Sequence, residues 1–236
     1  LAPLQSLATT VVIAIFVITF IMQAFEIPSG SMEDTLLVGD YLLADKVQFG
    51  DPGHFGFLLP YRKIQRGDVV VFRWPVHPQE HFVKRVVGVP GDHIKIVGGH
   101  VFVNGQLEDE THAIYRGQGR DDFRDNFPMP YRASPQMTAD WFTEVPKLTH
   151  NGELLVPEDH YFVLGDNRND SQDSRYWGLV PRQAIIASPL AVYWSLRQPP
   201  LAELNMPPDD KLGRFWYELT HLPQLMRWDR VFHIVR

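Results

Sequence analysis

Apolar positions along this chain follow different patterns in different stretches. The first is continuous. Leu7–Phe25 (LATTVVIAIFVITFIMQAF) is mainly Leu, Val, Ile, Phe and Ala, and Glu26 is the first ionisable side chain. As a helix rising about 1.5 Å per residue, the run reaches roughly 28 Å, close to the hydrocarbon thickness of a bilayer. Its β-branched content favours a strand in water, but in lipid only a helix satisfies such a backbone alone. Residues 1–25 are therefore read as a transmembrane anchor. A cleaved signal peptide competes, but Met22-Gln23-Ala24 lacks the small residue that opens an A-x-A site. A buried core helix is the remaining alternative. The chain opens on Leu1, so it is expected to be a fragment, with an extension or an earlier span missing. No Lys or Arg precedes the run to set its orientation.

Beyond the run, the apolar stretches are short and β-like. Asp40–Ala44, Asp68–Trp74, His81–Val89, His93–Val97, His100–Val103, His160–Leu164 and Ala191–Leu196 are separated by Gly, Pro and Asp. Gly98-Gly99 supplies a hairpin turn and Asn104-Gly105 another. Such a series predicts a mainly β fold with an antiparallel core, closed or sandwich-like. Residues 104–156 are more polar and richer in Pro, and β-runs resume after them. They are read as an inserted smaller lobe that divides the core into 26–103 and 157–200. In the C-terminal amphipathic segment, 201–236, Leu212, Phe215, Trp216 and Leu219 recur at helical spacing. Pro223 is expected to break that helix, and Leu225, Trp228, Phe232 and Val235 continue the apolar theme. The stripe is read as packing on the domain, with the membrane interface as the alternative.

Composition then excludes whole classes of chemistry. The chain carries 44% hydrophobic and 12% aromatic residues, enough for a packed core. Its net charge is −6, and its cationic patches, Arg62-Lys63 with Arg66 and Lys84-Arg85, are short. A nucleic-acid partner would call for a basic face, so none is expected. The absence of cysteine removes disulfides, thiol nucleophiles and zinc–thiolate sites. The ten histidines place no HExxH or His-x-x-x-His on a plausible helix, so no metal is expected.

Three segments remain that could do chemistry. In Ile27-Pro28-Ser29-Gly30-Ser31-Met32, Pro28 and Gly30 hold a tight loop that can present a serine hydroxyl and its own N–H. In Phe82-Val83-Lys84-Arg85-Val86-Val87, strand alternation puts Phe82, Lys84 and Val86 on one face. A lysine so placed is either a surface residue or a desolvated one. Burial disfavours its charged form, and lowering its pKa from about 10.4 to near 7 costs about 4.6 kcal/mol. A neutral Lys84 could then take the Ser31 proton during attack on a carbonyl. The third segment, Gly165–Arg175, holds Asp166, Asp173, Arg175 and Ser171. Asp173 or Asp166 could pair with Arg175, and Ser171 could orient a lysine amine. An ordinary Asx-rich surface loop is the plainer reading.

Together these segments resemble bacterial signal peptidase I, the leader peptidase that uses a Ser–Lys pair. Phe25–Gln48, Arg66–Trp74, His81–Asp92 and Tyr161–Pro181 carry the resemblance, in the family's order and after an apolar run. It implies a membrane-bound serine endopeptidase that removes N-terminal signal peptides after small residues such as Ala. Ser31 would be the nucleophile and Lys84 the general base. The Ser31 N–H and the Ser29 hydroxyl would form the oxyanion hole. Ser171 would position the lysine, with Asp166, Asp173 and Arg175 as bracing charges. Phe25, Ile27, Pro28, Met32, Leu36, Phe82 and Val83 match positions lining the pockets for small substrate side chains. The implied partners are preproteins with signal peptides, the lipid bilayer and a nearby export translocon, with no cofactor. The implied location is the bacterial plasma membrane, with the catalytic domain on the periplasmic or extracellular side. Two departures stand out: Asp34 occupies a position where the family usually has Pro, and one span is visible where some members have two. A catalytically silent anchored β-domain and a self-cleaving Ser–Lys repressor are the alternatives. The repressor would need a DNA-binding helical module that the sequence does not display.

Overall fold

The computed structural model describes residues 2–49, 61–117, 119–129, 131–198 and 211–235. The continuous apolar run does not form one helix. Helix α1 covers Ala2–Phe16, a single π turn follows over Val17–Ile21, and Met22–Glu26 is already strand β1. No helix among the described residues is long and apolar enough to cross a membrane. The expected helix through Phe25 therefore ends earlier. Its last residues pair in register with strand β2, Asp40–Asp45, from Met22↔Asp45 to Glu26↔Tyr41. A partner strand gives these residues the backbone bonds that a helix would otherwise have to supply.

The larger sheet contains eight strands. To β1 and β2 it adds β3 (Val69–Arg73), β4 (His81–Gly88), β10 (His160–Leu164), β11 (Val180–Pro181), β12 (Ile185–Ser195) and β13 (His233–Ile234). Its main path runs β1-β2-β12-β3-β4-β10-β11, and β13 pairs with β12. All of these pairings are antiparallel. Alternation along β3 shows how both faces are covered. Val69 and Val71 join one apolar cluster with Leu36, Leu42 and Val192, while Val70 and Phe72 join another with Val86, Val163 and Trp177. Strand β12 begins at Ile185, ahead of the expected Ala191. Pro189 masks its first half in the sequence, but it sits beside a register shift, where a missing N–H is tolerated.

A smaller sheet of five strands is built from β5 (His93–Val97), β6 (His100–Val103), β7 (Gln106–Leu107), β8 (Thr149–His150) and β9 (Glu153–Leu155). Ile94, Ile96, Val101, Val103 and Leu154 form its core with Trp141 and Val145 of helix α3, Ala139–Leu148. The lobe drawn over 104–156 thus shares its sheet with strands that precede residue 104. Alternation alone does not say to which sheet a strand belongs. Gly98-Gly99 makes the β5–β6 turn with φ of 59° and 90°, the left-handed region that glycine enters without strain.

At the C-terminus, helix α5 spans Lys211–Leu225 and continues through Pro223, with the Met226 N–H still reaching the Leu222 carbonyl at 3.0 Å. The expected break falls later because this proline lies in the helix's last turn. Leu212, Trp216 and Leu219 are exposed, so these residues of the stripe do not pack on the domain; Leu225 and Met226 are buried instead. The boundary drawn at residues 200 and 201 lies outside the described residues.

Candidate active site

Strand β1 ends where Ile27 exchanges backbone bonds with the loop before β2. Its N–H reaches the Asp40 carbonyl and the Gly39 N–H returns to the Ile27 carbonyl, both at 2.9 Å. Between these anchors the chain makes a 3-10 turn over Gly30–Met32, and Ser31 lies within it. An N–H in the first turn of such a helix has no partner inside it. The Ser31 side chain is almost fully buried, and the Ser29 hydroxyl lies 3.4 Å from its own.

Lys84 lies on β4 opposite Val70 and is 4% exposed. Its Nζ is 2.5 Å from Ser31 Oγ and 5.6 Å from the centroid of the Phe82 ring. Burial lowers the ammonium's pKa to about 8, while the charges of Asp173 and Asp166 pull the other way. The pocket thus supplies most of the lowering that a lysine base requires.

Behind the pair, the acids are held by arginines. Arg85 donates Nε to Asp166 Oδ1 at 2.8 Å and Nη2 to Asp166 Oδ2 at 2.7 Å. Thr35 Oγ1 adds a bond to the same carboxylate at 2.6 Å. Arg175 forks Asp173 in the same way, at 2.8 and 2.7 Å. Burial alone would push the Asp173 carboxyl up, but Arg175 and the Gly165 N–H outweigh it and hold it below its ordinary value. Of the two pairings open in the sequence for Arg175, the structure forms the one with Asp173. Asp166 belongs to Arg85, a residue not singled out from sequence. The available signal was a second cation, adjacent to Lys84, in a strand too apolar to leave it unpaired.

The loop carrying these acids presses directly on the serine. A Cβ at Gly165 would sit 2.5 Å from the Ser31 carbonyl oxygen and 2.3 Å from Ser171 Oγ, so only glycine fits there. The Asn167 N–H donates to the Ser31 carbonyl at 3.1 Å. The Ser171 hydroxyl is buried and helps keep Asp173 charged, yet it forms no hydrogen bond of good geometry among the described residues.

The expected pocket residues separate. Ile27, Met32 and Leu36 are buried in one apolar cluster, with Phe25 and Val83 packed on its edge. Phe82 turns to the opposite cluster and stacks on Trp74, at 4.8 Å and 10° between rings. Pro28 is exposed. A second anchor also escaped the sequence. Asp40 is wholly buried and takes Ser195 Oγ at 2.6 Å and Arg230 Nη2 at 2.6 Å, while the same Arg230 Nη2 reaches the Thr35 carbonyl at 2.9 Å. The C-terminal segment is thereby tied to the loop that follows the serine.

Comparison with known proteins converges on one family. The family model described as "Signal peptidase, peptidase S26" matches residues 2–194. The signal peptidase I of Pseudomonas fluorescens is 34% identical over 213 residues, covering 79% of this chain and 69% of that protein. That of Leptolyngbya laminosa is 34% identical over 216 residues, covering 87% and 84%. A crystal structure of a signal peptidase I from Enterococcus faecalis aligns at 27% identity with a TM-score of 0.40, over 54% of this chain and 97% of that one. The family match spans Ser31, Lys84 and the arginine-held acids, and the chain belongs to the signal peptidase family, peptidase S26, as a serine endopeptidase.

Proposed function

We propose that this protein removes signal peptides from exported preproteins at a bacterial membrane, with Ser31 as nucleophile and Lys84 as general base. The observation that carries this is the 2.5 Å separation of Lys84 Nζ and Ser31 Oγ in a buried, largely apolar pocket. A neutral amine at that distance accepts the hydroxyl proton as the oxygen attacks the scissile carbonyl. The Ser31 N–H and the Ser29 hydroxyl receive the oxygen that becomes negative. The resulting ammonium returns its proton to the leaving amine. A water, deprotonated by the same lysine, then hydrolyses the acyl-enzyme. The Asp166–Arg85 and Asp173–Arg175 pairs brace the loop against Ser31, and Ser171, packed against Gly165 beside the Ser31 carbonyl, would limit where the amine can turn.

Strand edges that have no partner among the described residues support a place for the substrate. β1 is an end strand of the large sheet, and β10 pairs with β4 only from Arg85 onward. An extended peptide could pair by backbone bonds with the edge of His81–Lys84 or with that of Met22–Glu26. Phe25, Ile27, Met32, Leu36 and Val83 would form an apolar floor that admits Ala and excludes larger side chains.

Membrane attachment rests on α1 and its π turn. Val12, Ile13, Ile15, Phe16, Ile18 and Phe20 are each more than half exposed. Apolar surface on that scale is stable only when covered, at about 25 cal/mol for each Å² removed from water. A lipid surface would cover it, and the exposed Leu212, Trp216 and Leu219 of α5 offer a second apolar face of the same kind. The catalytic domain then faces the exterior or periplasm, beside the export translocon that delivers its substrates. Incubation with a model preprotein in detergent tests the reading: the intact chain should release mature protein and Ser31→Ala should not. Equal cleavage by both would end it.

A further inference from the structure

Asp34 stands just beyond the nucleophile, and its carboxylate is forked by Arg116, with Nη1–Oδ1 at 2.8 Å and Nη2–Oδ2 at 3.1 Å. Both side chains are more than half exposed, so the pair contributes little to stability, about 0–1 kcal/mol for ion pairs of this kind. Its backbone setting, by contrast, is fixed. The Arg116 N–H donates to Asn167 Oδ1 at 3.3 Å, and the Asn167 N–H donates to the Ser31 carbonyl at 3.1 Å. Ile114 brackets the same loop, its N–H bonded to the Asp166 carbonyl and its carbonyl to the Arg168 N–H, each at 2.8 Å. Glu110 pairs with Arg168 and accepts the Tyr115 hydroxyl, which holds the segment down. An exposed ion pair on so rigid a mount, next to the nucleophile, has the properties of a recognition element.

Its position says which part of the substrate it meets. An extended peptide lying along His81–Lys84 cannot continue straight, because Leu164 pairs with Arg85 and fills the edge directly after Lys84. Beyond the scissile bond the chain must turn outward over residues 31–34 and 114–116. Asp34 occupies two donors of the Arg116 guanidinium, which has five in a planar fork, and its other donors have no partner among the described residues. A second carboxylate can take those donors without displacing Asp34, whereas a cation set against them is repelled by the guanidinium.

We propose that the Asp34–Arg116 pair is a specificity element for the first two residues after the scissile bond, selecting Asp or Glu there over Lys or Arg. This rests on the signal-peptide cleavage reading. The test uses peptides identical up to the cleaved bond and followed by Glu-Glu, Lys-Lys or Ala-Ala, with kcat/KM measured for each. The wild type should favour Glu-Glu over Lys-Lys by on the order of fivefold, less at high salt. Arg116→Gln should remove the preference and Arg116→Glu should reverse it. An unchanged Glu-to-Lys ratio in both variants would overturn the proposal, as would loss of all three activities, which would assign Arg116 to the catalytic framework. Failure of the wild type to cut even the Ala-Ala peptide would strike the cleavage reading instead.

Discussion

Lys84 and Arg85 are neighbours on one strand, buried almost equally at 4% and 5% exposure, yet their surroundings differ completely. Arg85 meets a bidentate carboxylate, a backbone carbonyl and a threonine, so its charge is fully matched. Lys84 meets a serine hydroxyl and an aromatic ring. The nearby acids that could have matched it are already held, Asp166 by Arg85 and Asp173 by Arg175. The proposed base would be made by withholding a partner. Burial disfavours the ammonium, and the arginines keep the carboxylates from restoring it.

The contrast can be broken most severely at Ser31 and Lys84. Ser31→Ala and Lys84→Ala should each lower kcat by at least about 10³-fold with the fold intact, read by preprotein cleavage and circular dichroism. The next largest effect lies on the matched side. Arg85→Met leaves the Asp166 carboxylate buried without its partner and should destabilise the protein by about 3–5 kcal/mol in denaturant unfolding. Restoring neutrality with Asp166→Asn in the same chain should recover much of that loss.

On the unmatched side the sign reverses. A lysine whose pKa falls from 10.5 to about 8 on folding carries a cost of about 3 kcal/mol at neutral pH. Lys84→Met should therefore raise stability by about 2–3 kcal/mol at pH 7 while abolishing activity. That gap is full below about pH 8, where the folded lysine is charged, and closes as pH rises toward 10.5. Over that range the folded chain releases its proton before the unfolded chain does. The smallest effect on activity sharpens the comparison. Arg175→Gln removes a cation that disfavours the Lys84 ammonium, so the pH–activity profile should move to higher pH, with a loss of stability like that of Arg85→Met because Asp173 is buried.

Sequence made the strands and the chemistry legible to different extents. β2 through β6 and β10 were readable because alternation and turn glycines are local signals. The end of the apolar run was not, because hydrophobicity alone cannot say that Met22–Glu26 exchanges helix bonds for pairing with β2. Ser31 and Lys84 have marked local settings, a Pro-Gly-held serine and a lysine among branched residues, but it is the family resemblance that gives them roles. Arg85, Thr35 and Arg230 did not, since each matters only through a partner distant in the chain, Asp166 or Asp40. Asn151-Gly152 is a further local hairpin signal, and it joins β8 to β9.

Proton affinity at residue 84 is what separates a catalytic amine from a buried structural cation. The direct measurement is kcat/KM for a signal-peptide substrate from pH 5 to pH 10, beside an active-site titration of folded enzyme at each pH. Rate should climb tenfold per pH unit at the acid end and level off above about pH 8, as the lysine sheds its proton. A profile that stays level down to pH 5 would show that no group of that affinity removes the serine's proton.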